Sequence, residues 1–115
     1  MRCLIVDDSD EFVASASRLL RSQGMDVVGS ASSSADAVRL AESLAPHVAL
    51  VDIELGADDG IALTQELASR APSTRIVLIS SYPSDELGDL IAQSPVAGFL
   101  SKTDLAADAI ARLLD

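Results

Sequence analysis

Four apolar runs punctuate the chain, and each gives way to polar residues of a particular kind. Cys3, Leu4, Ile5 and Val6 lead into Asp7 and Asp8. Residues 47–51 lead into Asp52, and Ile76, Val77, Leu78 and Ile79 lead into Ser80. Residues 96–100 lead to Lys102. Runs of four or five mostly apolar residues, many of them β-branched, have the pattern of strands buried on both faces. A shorter and more polar segment, Val27 and Val28 with the residues to Ala31, reads as a second strand at a sheet edge.

Between these runs the period becomes helical. Residues 9–23 carry Phe12, Val13, Ala16, Leu19 and Leu20 as one stripe, with Asp8 as the expected N-cap, Glu11 completing a capping box and Gly24 as terminator. The serine run 32–34 caps a helix over 36–44 that ends before Pro46, and Gly60 opens a helix through Ala71 that Pro72 stops. Ser84 caps a helix over 85–93, and Thr103 caps the last one, whose inward face is Leu105, Ala109, Ile110, Leu113 and Leu114. Residues 53–59 have the composition of a loop.

Five β–α pairs in succession predict a single α/β domain with right-handed crossovers and a parallel sheet. Ligands of such sheets bind in the crevice beyond the carboxyl ends of the strands. Asp7, Asp8, Asp52, Ser80 and Lys102 would then meet there: three carboxylates, a hydroxyl and an ammonium. That set suits a hard divalent cation and a phosphoryl group, whose transfer depends on alignment and charge neutralisation.

Length and composition narrow the picture. A chain of 115 residues suits one domain with one core, and 49% hydrophobic content with only 3% aromatic residues calls for an aliphatic core. No apolar stretch approaches the length that spans a bilayer, and no signal-peptide anatomy is present, so a cytoplasmic protein is expected. Cys3, the lone cysteine, reads as a small buried hydrophobe, and His47, the only histidine, as structural. A net charge of −10 argues against a nucleic-acid grip by this domain and against a polybasic membrane anchor. Part of that charge is concentrated at the expected strand ends, in Asp7, Asp8, Asp10, Glu11, Asp52, Glu54, Asp58 and Asp59, where a bound cation would relieve mutual repulsion.

The Asp7–Asp8 pair after the first strand, Asp52 after the third, Ser80 after the fourth and Lys102 after the fifth resemble, in order and spacing, the receiver domain of two-component response regulators. The resemblance covers residues 1–115 as one domain. It implies a flavodoxin-like doubly wound (βα)5 sandwich whose five-stranded parallel sheet has the order 2-1-3-4-5. It also implies that Asp52 accepts a phosphoryl group from a sensor histidine kinase, with Lys102 and Ser80 contacting phosphoryl oxygens and a conformational switch controlling an output partner or domain. Mg²⁺, with Mn²⁺ as substitute, would be held by Asp8 and Asp52 directly, by Asp7 through water and by the backbone carbonyl of Glu54. Phe99 and Ser80 match the switch positions, and Glu54 and Tyr82 match positions that gate water access to the acyl phosphate. Such a domain is a phosphoacceptor, at most slowly dephosphorylating itself, and not an enzyme. A phosphorylation-linked homodimer is compatible with it.

Two residues depart from the family pattern. Gly56 stands where many receivers have proline, which loosens the loop after Asp52, and Thr103 follows Lys102 where proline is common, so a trans Lys102–Thr103 peptide is expected. The rival readings are a metal-dependent phosphatase-like enzyme of similar fold and a receiver-like binding module that never accepts phosphate. The first fits poorly with a nucleophile after the third strand, and the second with an intact acidic pair, acceptor and lysine. Walker A and G-x-G-x-x-G patterns are absent. The output is not written in the sequence, and a stand-alone receiver is slightly favoured over a piece of a DNA-binding regulator.

Overall fold

A computed structural model describes residues 1–81 and 88–115. Five strands, β1 (Arg2–Val6), β2 (Asp26–Ala31), β3 (Val48–Asp52), β6 (Arg75–Ser80) and β7 (Gly98–Ser101), form a sheet of order β2-β1-β3-β6-β7 with every pairing parallel. This is the expected 2-1-3-4-5 order, because β4 (Glu54–Leu55) and β5 (Asp58–Asp59) lie outside that sheet and pair only with each other. The helices are α1 (Asp10–Ser22), α2 (Ser34–Leu44), α3 (Gly60–Arg70), α4 (Gly88–Ala92) and α5 (Ala107–Leu114).

The apolar runs are continuous because successive side chains enter two different cores. Leu4, Val6, Ala49, Val51, Ile76 and Leu78 face the layer that holds Val38 of α2 and Leu63 and Leu67 of α3. Their sequence neighbours Cys3, Ile5, Val48, Leu50, Val77 and Ile79 face Leu20 of α1 and Ile110 of α5. Each fully buried Leu or Ile contributes about 1.5–3 kcal/mol, so a one-residue slip of β1 or β3 would exchange the two cores. Strand register, and with it the position of the residue after each strand, is therefore tightly set.

Several helix ends differ from expectation. Ser9, not Asp8, caps α1: its Oγ accepts the Phe12 N–H at 3.2 Å, and Glu11 takes no part in a capping box. The Ser9 N–H itself donates to Asp7 Oδ1 at 2.9 Å, which turns the chain one residue later and leaves Asp8 exposed beside the crevice. Ser33 caps α2, which starts two residues before the expected boundary. Thr103 caps nothing. It sits in a 3₁₀ turn over Lys102–Asp104 with its Oγ1 3.0 Å from Ser101 Oγ. The first free N–H of α5, at Ala107, donates instead to Gln23 Oε1 at 2.7 Å, a cap supplied by the far end of α1. The Lys102–Thr103 peptide is trans. Ser84, the expected cap of the fourth helix, and residues 85–87 lie outside the described residues.

Residues 53–59, expected as a loosened loop, form a tight antiparallel ribbon, with Glu54 opposite Asp59 and Leu55 opposite Asp58. Gly56 supplies the reversal with φ +56°, a left-handed conformation that a proline ring cannot adopt. The ribbon is anchored at both ends. Asp58 Oδ2 accepts the Ser34 N–H at the start of α2, and Asp59 Oδ1 accepts the Ile61 N–H at the start of α3.

Candidate functional site

Parallel register brings the strand ends together. Val6 pairs with Val51, so Asp7 follows β1 beside the point where Asp52 closes β3. Asp52 pairs with Ile79 and Ser80 with Ser101, which brings Ser80 and Lys102 to the same edge. Carboxylate oxygens of Asp7, Asp8 and Asp52 all lie within 4.8 Å of one another, Asp7 and Asp52 buried and Asp8 exposed.

Lys102 enters this cluster from the 3₁₀ turn. Its Nζ is 2.6 Å from Asp7 Oδ2 and 3.4 Å from Asp52 Oδ2, and its side chain is 16% exposed. Asp7 is therefore its nearer partner. The Nζ also stands over the Phe12 ring, 4.3 Å from the centroid. Asp52 Oδ1 accepts the Glu54 N–H at 3.1 Å, which fixes the rotation of the carboxylate. Ser80 is fully buried, with its Oγ 3.5 Å from Glu54 Oε1. Gly60 walls the site from behind: a Cβ there would come within 2.1 Å of the Asp52 carbonyl oxygen. A Cβ at Gly56 would meet Asp8 Oδ2 at 2.9 Å.

The electrostatics follow from this packing. Burial pushes the Asp52 carboxyl up; the Glu54 N–H lowers it, the Asp7 charge raises it and Lys102 lowers it, and the balance is a pKa of about 6. Burial alone would lower the Lys102 ammonium, but Asp7 and then Asp52 more than offset that, so its pKa lies above the ordinary value. Three carboxylates facing one ammonium leave excess negative charge, the condition under which a bound cation stabilises a site.

The structure thus brings Asp7, Asp8, Asp52, Ser80 and Lys102 to one crevice, with Glu54 beside Asp52 and Ser80. Phe99 lies on β7, half-buried against the α2–α3 core layer, and Tyr82 lies outside the described residues. The contact that sequence reasoning missed is Phe12 on Lys102. Its signal was position: Phe12 stands one helical turn after Asp8, at the crevice end of α1.

The response regulator receiver domain family matches residues 3–114 of this chain. The chain belongs to that family. This receiver domain is 29% identical over 103 residues to the response regulator GacA of Pseudomonas aeruginosa, a match covering 89% of this chain and 48% of that protein. The signal receiver domain of a modulated diguanylate cyclase from Desulfovibrio desulfuricans G20 superposes with a TM-score of 0.81 at 35% identity, covering 98% of this chain and 89% of that one. A response regulator from Burkholderia pseudomallei, solved with a phosphorylated aspartic acid, a calcium ion and citrate, superposes with a TM-score of 0.85 at 25% identity, covering 99% and 66%. The receiver domain spans about half the length of the curated relatives it matches. Among the described residues, no helix is long and apolar enough to cross a membrane.

Proposed function

We propose that Asp52 is the phosphoacceptor of this receiver, taking a phosphoryl group from the phosphohistidine of a sensor kinase. An Asp52 carboxylate oxygen forms the new bond to phosphorus while the bond from phosphorus to the donor nitrogen breaks, and the departing imidazole takes a proton. The observation that carries the reading is the Lys102 ammonium held between Asp7 and Asp52 at 2.6 and 3.4 Å, where it can turn to a phosphoryl oxygen on Asp52. As a compact point charge on a flexible stem, it can follow the incoming group.

The donor set fits Mg²⁺, with Mn²⁺ as substitute: three carboxylates within 4.8 Å, one of them with its pKa raised by burial and by its neighbour's charge. Bound there, the ion would neutralise charge on the phosphoryl oxygens. Asp8 and Asp52 would hold it directly, with the Glu54 carbonyl as a further ligand. Both oxygens of Asp7 are already engaged, one by the Ser9 N–H and one by Lys102, which suits a role through water. Ser80 would donate its hydroxyl to the phosphoryl group, giving up its approach to Glu54, and Phe99 would follow that movement as the switch. Glu54 and Tyr82 would gate water, and with it the lifetime of the acyl phosphate. The domain acts as a switch and not as a turnover enzyme, in the cytoplasm, on an output domain or partner protein, and without itself gripping nucleic acid.

The test is incubation with a small phosphodonor and Mg²⁺, read by intact mass. One phosphate per chain is expected on the native protein and none on Asp52→Asn. Label on that variant assigns the acceptor elsewhere, and steady turnover of the donor without labelling favours a phosphatase.

A further inference from the structure

Lys102 is the only lysine in the chain, and among the described residues three groups define the seat of its ammonium: Asp7, Asp52 and the face of Phe12. The ring and the acid are built as one unit. Asp7 Oδ1 accepts the Ser9 N–H, and Ser9 Oγ accepts the Phe12 N–H, so the turn that orients Asp7 also sets the first turn of α1 and the Phe12 backbone. The ring also packs against the apolar layer that contains Ile5, Leu50 and Leu105. A leucine could satisfy that packing, but it offers no negative face to a cation.

We infer that Phe12 is a positioning residue for phosphorylation: its ring holds the Lys102 ammonium inside the crevice while that ammonium exchanges a carboxylate partner for a phosphoryl oxygen. The physical reason lies in the two kinds of contact. An ion pair at 2.6 Å ties Nζ to one oxygen, and leaving it exposes the charge to a cost unless something else attracts it. Attraction to a ring face has little directional preference, so the ammonium can slide toward the acceptor without returning to water. This inference rests on Asp52 being the acceptor.

The experiment uses the whole chain with Phe12→Leu and Phe12→Tyr, the same small phosphodonor and Mg²⁺. Loss of the ring in Phe12→Leu should slow labelling of Asp52 by about threefold to tenfold, and Phe12→Tyr should restore it to within about twofold. Mg²⁺ affinity should stay within about twofold of native in both, because no ligand changes. A second readout is independent of phosphorylation. With carbon-13 lysine the protein gives one lysine spin system, and its ε-methylene protons should be shifted upfield by the ring in the native and Tyr proteins but not in the Leu variant. If Phe12→Leu does not fold, Phe12→Met carries the same comparison. Native labelling rates in the Leu variant, equal slowing in Leu and Tyr, or a lysine signal that ignores the substitution would each overturn the inference while leaving Asp52 as acceptor. A native protein that takes no phosphate at all would overturn the acceptor assignment and the role of Phe12 with it.

Discussion

Lys102 is nearer to Asp7 than to Asp52, 2.6 against 3.4 Å, and this ranks the roles of the two acids. Asp7 is the acid that holds the ammonium in place. Asp52 keeps one oxygen on the Glu54 N–H and the other only loosely paired, as the proposed acceptor role requires.

Removing the ammonium should therefore weaken the metal-free fold. Lys102→Met leaves Asp7, Asp8 and Asp52 facing one another without compensation, and a loss of roughly 1–3 kcal/mol in urea unfolding is expected. Mg²⁺ should bind this variant more tightly than the native protein, since the competing positive charge is gone, and should recover much of the lost stability. Equal metal affinity in titrations of the two proteins would count against electrostatic competition at the site.

The raised Asp52 pKa, about 6 against an ordinary 3.8, gives stability a pH dependence of defined sign. The folded protein holds this proton more tightly than the unfolded chain. The associated stabilisation is complete below about pH 4 and is lost as pH rises through about 6, a change of roughly 2–3 kcal/mol. Thermal melts without metal, compared with Asp52→Asn to cancel the other carboxylates, should show native stability falling relative to the variant over that window. Parallel curves would mean that Asp52 titrates normally. Mg²⁺ affinity should weaken as pH drops through 6, because the cation and the proton compete for the same carboxylate.

Asp8 is exposed and caps no helix, so its charge is costly to the metal-free fold without a structural return. Asp8→Ala should raise metal-free stability by up to about 1 kcal/mol through reduced repulsion and should weaken Mg²⁺ binding. A lowered melting temperature in EDTA would reveal a structural duty at Asp8 that its contacts do not show.

Gly60 and Gly56 should resist substitution for different reasons. Gly60→Ala drives a Cβ to within 2.1 Å of the Asp52 carbonyl oxygen, and overpacking of that kind costs about 1–3 kcal/mol and would displace Asp52. Gly88→Ala, where a Cβ meets nothing within 4 Å, is the control and should change stability by less than about 1 kcal/mol. At Gly56, the proline common in receivers conflicts with φ +56°, so Gly56→Pro should open the β4–β5 ribbon and destabilise by about 1–3 kcal/mol. An unchanged denaturation midpoint for Gly56→Pro would mean that the ribbon tolerates another turn.

What the sequence determined by itself was the five strands of the parallel sheet and the polar residues at their ends, while the β4–β5 ribbon read as a loop. Both follow from local pattern: β1, β3 and β6 are unbroken apolar runs because each feeds two cores, and Asp7, Asp52 and Ser80 are the polar residues that close them. Once the sheet is parallel, those residues have one edge to occupy. Tertiary structure decided the pairings across that edge and the helix ends. Whether Lys102 meets Asp7 or Asp52 turns on less than an ångström. The cap of α5 comes from Gln23, 84 residues away in the chain. Asp8 and Ser9 are both good caps on paper, and the choice fell to Ser9 because Asp7 had already taken the Ser9 N–H to make the turn. Phe12 followed the apolar period of α1 and so read as core. Its contact with Lys102 exists only because α1 and the segment after β7 pack side by side, a distance that no local pattern encodes.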